Sequence, residues 1–196
     1  MERSLCSLPP GGVSGLGRPG ATRMNIPPRS LCSLPPGGVS GLGRPGATDV
    51  ELILWRHCDA EPGIPDDLRR LTPRGRQQAV RMARWLGARL PADGAIIVSP
   101  ALRAQETAQA LARRYRTVRE IGTGAPVDAV LTAAHWPHGR RLVLVVGHQP
   151  TLGRVASWLL DGEEADRPID PGALWWLASA AEGAAVLVQS ASPESV

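Results

Sequence analysis

The chain contains no lysine, so all 22 of its basic residues are arginine. Together with abundant alanine, glycine and proline, that usage reads as the mark of a GC-rich genome rather than of a particular chemistry. Only three cysteines are present, and Cys6 and Cys32 fall in a repeated segment, which leaves Cys58 alone in the rest of the chain. That count and spacing exclude a disulfide framework and a Cys-x-x-Cys site. No stretch approaches the roughly 18 consecutive apolar residues that a membrane-spanning helix requires, so no membrane partner is expected. The N-terminal segment has neither the apolar core of a signal peptide nor the Arg-rich amphipathic pattern of a transit peptide, and a cytoplasmic location is expected.

The formal net charge of +4 suggests a polyanion partner, but the excess is local. Residues 1–48 hold five Arg and one Glu; subtracting these from 22 and 18 leaves 17 basic and 17 acidic residues in 49–196. A neutral domain gives no electrostatic case for a nucleic-acid partner. Residues 3–22 and 29–48 are identical, a duplication at a period of 26. Neither copy has the apolar face by which solenoid repeats stack, and both are rich in Gly, Pro and Ser, so residues 1–48 are expected to be disordered. The exact duplication also resembles repeated DNA read as protein. Translation is therefore expected to begin near Val50, with Met24 second in line. The remaining residues, 49–196, are read as one domain.

That domain alternates strand and helix. Val50–Trp55 is a short apolar run of the kind buried on both faces of a sheet. After a loop with Pro62, Gly63 and Pro65, Thr72-Pro73 starts a helix over 73–90, because Thr can cap the open amides and Pro at the first helical position needs no donor. Strand 95–98, a cap at Ser99-Pro100 and a helix over 101–114 repeat the unit. Residues 117–121 read as a short strand, 126–134 as a short helix and 142–146 as a buried strand. Pro150 opens a helix with Leu152, Val155 and Leu159 on one face. Residues 173–178 and 184–189 close the chain as paired strands turned at Glu182-Gly183. The expected fold is α/β, a three-layer α/β/α sandwich with a mostly parallel sheet.

In such a sheet, ligands bind outside the carboxyl ends of the strands. Arg56-His57, Arg103 and His148 all follow predicted strands. Arginine binds phosphate oxygens in pairs and stays charged, while a neutral imidazole is nucleophilic near pH 7 without metal activation. Neighbouring guanidinium charge would keep His57 neutral. His57 is therefore the expected nucleophile, with Arg56, Arg103 and His148 binding the phosphoryl group.

Four ordered blocks, Leu-Ile-Leu-Trp-Arg-His-Cys-Asp-Ala-Glu, Leu-Thr-Pro-Arg-Gly, Val-Ser-Pro-Ala-Leu-Arg-Ala-Gln-Glu-Thr and Val-Val-Gly-His-Gln-Pro, resemble the histidine phosphatase superfamily. The compact form is similar to its bacterial SixA-type phosphohistidine phosphatases. The resemblance runs from residue 50 to about 193. It implies a phosphoglycerate-mutase-like fold, a pocket of Arg56, His57, Arg103 and His148, and no cofactor or metal.

Two departures stand out. Cys58 replaces the glycine that often follows the family's histidine; it reads as an incidental small residue, with a redox switch as the minor alternative. Relatives that cleave phosphate monoesters usually carry a carboxylic acid for the alkoxide leaving group. Here the candidates are Glu120 and Asp59, while Glu106 is expected to orient Arg103 or face solvent. Imidazole is a better leaving group, and so weak an acid inventory favours an N–P substrate. The expected function is removal of phosphate from phosphohistidine on a signalling protein such as a phosphotransfer domain, through a covalent intermediate. A small-molecule phosphomonoesterase and a noncatalytic phosphate binder are the alternatives. His135 and His138 form an HxxH without a third ligand and read as loop residues, and Trp175-Trp176 as packing on opposite sheet faces.

Overall fold

The computed structural model describes residues 50–180 and 184–196. The duplicated segment and the turn expected at Glu182-Gly183 lie outside the described residues.

The first strand, β1 (Glu51–Arg56), is followed by α1 (Pro73–Gly87), β2 (Ala95–Val98), α2 (Leu102–Gln109) and β3 (Arg116–Thr117). The chain continues through α3 (Val127–Ala134), β4 (Leu142–Gly147), α4 (Thr151–Asp161), β5 (Leu174–Ser179) and β6 (Ala185–Ala191). Six strands form one sheet in the order β3-β2-β4-β1-β5-β6. The β2–β3, β2–β4 and β1–β4 pairs are parallel, whereas β5 runs antiparallel to β1 and pairs with β6 as an edge hairpin.

Alternation of side chains along the strands divides the core in two. Leu52, Leu54, Val143 and Val145 point to one face, where Val130 of α3 and Leu152, Val155 and Leu159 of α4 cover them. Ile53, Trp55, Leu144 and Val146 point to the other, against Met82 and Leu86 of α1 and Ala104 and Ala108 of α2. These are the three expected layers. Burying each of the larger aliphatic side chains contributes roughly 2 kcal/mol. Trp175 and Trp176 go to opposite faces, as their adjacency on a strand dictates, and Trp176 Nε1 donates to Glu51 Oε2 at 3.0 Å.

Local chemistry accounts for the helix starts. Thr72 Oγ1 accepts the Gly75 amide at 2.8 Å, and Pro73 leads α1. Gly75 is demanded by close approach: a Cβ there would lie 1.9 Å from the Asp59 carbonyl oxygen, so the helix can pass the segment after His57 only without a side chain. Three expectations need correction. The second helix ends at Gln109 rather than 114, because Ala112 adopts a left-handed φ of 50° that breaks the turn. Residues 117–121 are not one strand; β3 stops at Thr117 and Arg119–Ile121 form a 3-10 turn that buries Ile121. Ser99 does not cap α2, whose N-cap is Ala101 without a side-chain bond.

Candidate active site

The parallel register places the carboxyl ends of β1, β4 and β2 side by side, with Arg56 opposite Gly147 and Val98 opposite Val146. The residues that follow therefore emerge together: His57 after β1, Ser99 after β2 and His148 after β4. Backbone bonds hold these exits, since the His57 amide donates to the Gly147 carbonyl and the Ser99 amide to the Val146 carbonyl, both at 3.0 Å. Arg103 joins them from the first turn of α2.

His57 is 9% exposed, and its Nδ1 lies 2.7 Å from the Cys58 carbonyl oxygen. A carbonyl only accepts, so Nδ1 carries the proton and Nε2 keeps its lone pair. Nε2 faces Arg103, whose Nε donates to it at 3.3 Å. Burial is the main cause that pushes the His57 pKa down to about 4; the bond to Cys58 opposes it, and the charges of Arg103, Arg56 and Arg69 add to it. The His148 ring sits 5.2 Å from that of His57 and is 3% exposed. Its pKa falls to about 3, through burial first and then His57 and Arg103, against a smaller opposing pull from Asp66. Both imidazoles are thus neutral at physiological pH. His148 Nε2 lies 2.7 Å from Ser99 Oγ, and Nδ1 is buried with no hydrogen-bond partner among the described residues.

Arg56 donates from one Nη to the Ile169 carbonyl at 2.8 Å, and its buried Nε has no partner. Arg103, 3% exposed, is held more tightly, giving Nη1 to the Asp66 carbonyl at 2.6 Å and Nη2 to Asp66 Oδ2 at 2.7 Å and Thr123 Oγ1 at 3.2 Å. Asp66 opens a 3-10 turn (Asp66–Leu68) in the loop after β1, and its other carboxylate oxygen takes Arg69 at 2.9 Å. The hydrogen bonds from Arg69 and Arg103 hold its carboxyl below the usual carboxylate range. The four pocket residues read from sequence, Arg56, His57, Arg103 and His148, are therefore brought together. Asp66, Arg69 and Ser99 are additions. Sequence inspection missed Asp66 because it lies in an aperiodic Pro/Gly-rich loop and reaches its partner across 37 positions.

Among the described residues, neither of the two carboxylates considered as proton donors bonds a pocket side chain. Asp59 Oδ2 accepts the Thr72 hydroxyl at 2.7 Å, tying the loop to the start of α1. Glu120 is exposed on the 3-10 turn after β3, and among the described residues no hydrogen bond or ion pair joins it to the pocket. Glu106 neither orients Arg103 nor simply faces solvent; it accepts the Leu71 amide at 2.8 Å and pairs with Arg70 at 3.5 Å. Cys58 is fully buried, and burial raises its thiol to about 12, so the thiolate on which a redox switch depends is suppressed. His135 and His138 are exposed at and after the end of α3, where His135 caps the helix in the left-handed conformation.

An anion at this place meets two guanidinium groups, a neutral imidazole with an unpartnered ring nitrogen and a second imidazole whose lone pair accepts from Arg103. Such a pocket, outside the carboxyl ends of parallel strands, suits a phosphoryl group and a nucleophile together.

Comparison with known proteins agrees with that class. Residues 52–125 match the family model of the histidine phosphatase superfamily, branch 1. The fold is similar to a candidate phosphohistidine phosphatase SixA from Nakamurella multipartitia, at 27% identity over 75% of this chain and 98% of that one, with a TM-score of 0.65. It is also similar to the protein histidine phosphatase SixA solved with tungstate, at 24% identity, 74% and 97% coverage and a TM-score of 0.63, a likeness of fold. An uncharacterised protein of Mycobacterium tuberculosis is 33% identical over 96 residues, spanning 48% of this chain and 61% of that protein's length, less than two thirds of it. Residues 52–125 belong to the histidine phosphatase superfamily, and the domain that contains them has its fold.

Proposed function

We propose that this protein is a phosphohistidine phosphatase that dephosphorylates a signalling or phosphotransfer protein through a phosphohistidine intermediate of its own. The observation that carries this reading is His57 Nε2, a neutral imidazole nitrogen whose proton is fixed on the far side of the ring and whose lone pair faces Arg103. In the first step Nε2 attacks phosphorus as the N–P bond to the substrate imidazole breaks, and that imidazole takes its proton from solvent. Water then attacks the phosphorus on His57, releasing inorganic phosphate and the free ring. Arg56, Arg103 and His148 donate to the equatorial oxygens as they gather charge.

The carboxylates favour an N–P substrate over an alkyl phosphate. Among the described residues, the carboxylate bonded to a pocket side chain is Asp66, and two arginines hold it ionised. An ionised carboxylate has no proton for an alkoxide, whereas a departing imidazole, with a pKa near 6.5, needs little help. No helix among the described residues is long and apolar enough to cross a membrane. A cytoplasmic phosphotransfer protein is the partner this reading requires.

Phosphate release is the test, comparing the full chain with His57→Ala on a phosphohistidine-bearing phosphotransfer protein and on a panel of small phosphomonoesters. Turnover of the phosphoprotein that exceeds every ester and vanishes in the variant supports the proposal. Preference for one small ester overturns it in favour of a phosphomonoesterase, and phosphate binding without turnover in favour of a binding module.

A further inference from the structure

Ser99 is fully buried between β2 and α2, yet it does not cap the helix. Its Oγ has two neighbours, the Ala101 amide at 3.3 Å and His148 Nε2 at 2.7 Å. The amide only donates, so the oxygen accepts there and its own proton is left to be placed. Among the described residues His148 Nε2 is the only acceptor bonded to that hydroxyl. A neutral imidazole carries one N–H, which leaves two arrangements.

If Nε2 held the proton, Ser99 Oγ would accept twice, its hydroxyl hydrogen would have no acceptor, and Nδ1 would be a buried lone pair without a partner. Leaving a buried group stranded in this way is costly, because its lost bonds to water are not replaced. If the serine hydroxyl donates to Nε2, every polar atom of Ser99 is satisfied and the imidazole proton moves to Nδ1. That atom is the buried ring nitrogen with no protein partner among the described residues, on a ring 5.2 Å from that of His57 and within reach of the charges of Arg103 and Arg56. An anion site offers its ligand donors, and only the second arrangement makes His148 one.

We propose that Ser99 is a positioning residue that fixes His148 in the Nδ1–H tautomer, so that the ring donates to the phosphoryl group. The two histidines then share one tautomer with opposite purposes. In His57 the proton on Nδ1 is spent on the Cys58 carbonyl and Nε2 turns its lone pair to Arg103; in His148 Nε2 is spent on Ser99 and Nδ1–H is left without a protein partner among the described residues. A backbone acceptor sets the first and a hydroxyl donor the second. The catalytic part of this inference rests on the phosphatase reading above, whereas the tautomer itself does not.

The test separates the two. Two-bond proton–nitrogen correlation spectra of the 15N-labelled full chain, with His148 assigned from His148→Gln, report which ring nitrogen carries the proton without any substrate. The expected result is Nδ1–H, with inorganic phosphate shifting that nitrogen on titration. Ser99→Ala should populate Nε2–H, weaken inorganic phosphate binding about tenfold and lower kcat about tenfold or more, with a smaller change in KM. Ser99→Thr, which keeps the hydroxyl, should restore the tautomer and the binding. Nε2–H in the wild type overturns the proposal, as does a folded Ser99→Ala that keeps Nδ1–H and full phosphate affinity. If Ser99→Ala does not fold, the wild-type spectrum and Ser99→Thr decide alone. A wild-type Nδ1–H tautomer without phosphatase turnover would instead sink the functional reading and leave this one standing.

Discussion

Acidifying the protein from pH 7 to pH 5 should leave its activity nearly intact, although the proposed nucleophile is a histidine. Attack requires a neutral Nε2, and an ordinary imidazole would be only roughly 3% neutral at pH 5. Burial, with the charges of Arg103, Arg56 and Arg69 behind it, pushes His57 down to about 4, where the ring is still roughly 90% neutral at pH 5. The two cases differ about thirtyfold in competent enzyme. The assay is kcat/KM from pH 4.5 to 8 on an aryl phosphate, corrected for the ester's own second ionisation, because that ratio reports the free enzyme. A profile nearly flat down to pH 5 and still at roughly three quarters of its plateau at pH 4.5 is expected, and an acid limb centred near 6.5 would refute it. Stability gives an independent check. A histidine depressed in the folded state is more protonated when unfolded, so its contribution is complete above pH 6.5 and is lost as the pH falls through about 4. The 2.5-unit gap between 6.5 and 4 corresponds to about 3 kcal/mol for His57, and the midpoint of urea unfolding should decline across that window.

Asp66→Asn removes a negative charge from the forks of Arg103 and Arg69 while the Asp66 carbonyl still holds Arg103. Titration calorimetry with inorganic phosphate should show binding about fivefold tighter, and Tm should drop only slightly because the carboxylate is 48% exposed; weaker binding would contradict the geometry. Gly75→Ala places a Cβ against the Asp59 carbonyl at 1.9 Å, so α1 and the segment after His57 must move apart. A loss of about 2–3 kcal/mol in urea unfolding is expected, with reduced activity; an unchanged midpoint would show that the approach is looser than described.

Much of this could be read from the chain because its signals are local. Apolar runs end at Trp55, Val98 and Val146, and the chemistry-bearing residues come next, so a parallel sheet was enough to gather Arg56, His57 and His148. The failures share a cause, which is that a side chain's partner is chosen in three dimensions. Ser99 before a helix looks like a cap, but β4 delivers His148 to its hydroxyl. Glu106 lies three positions after Arg103, yet its carboxylate turns to the Leu71 amide, and Asp66 from an aperiodic loop takes the arginine. Between β3 and α3, Val118 and Ile121 are apolar at a spacing of three, which puts them on one side of the observed 3-10 turn but on opposite faces of a strand.

The position of β1 in the sheet has a temporal meaning. It is the first of the described strands, but its neighbours β4 and β5 are encoded some 90 and 120 residues later, and the carbonyls of Ile169 and Ala173 that fix Arg56 come later still than β4. His57 is therefore made long before β4 and β5, the strands that flank β1, exist to help bury it. Long-range pairing of this kind slows folding and leaves apolar strands waiting in the open. The surroundings of the proposed nucleophile are complete only once β5, the last strand to pair with β1, has been made.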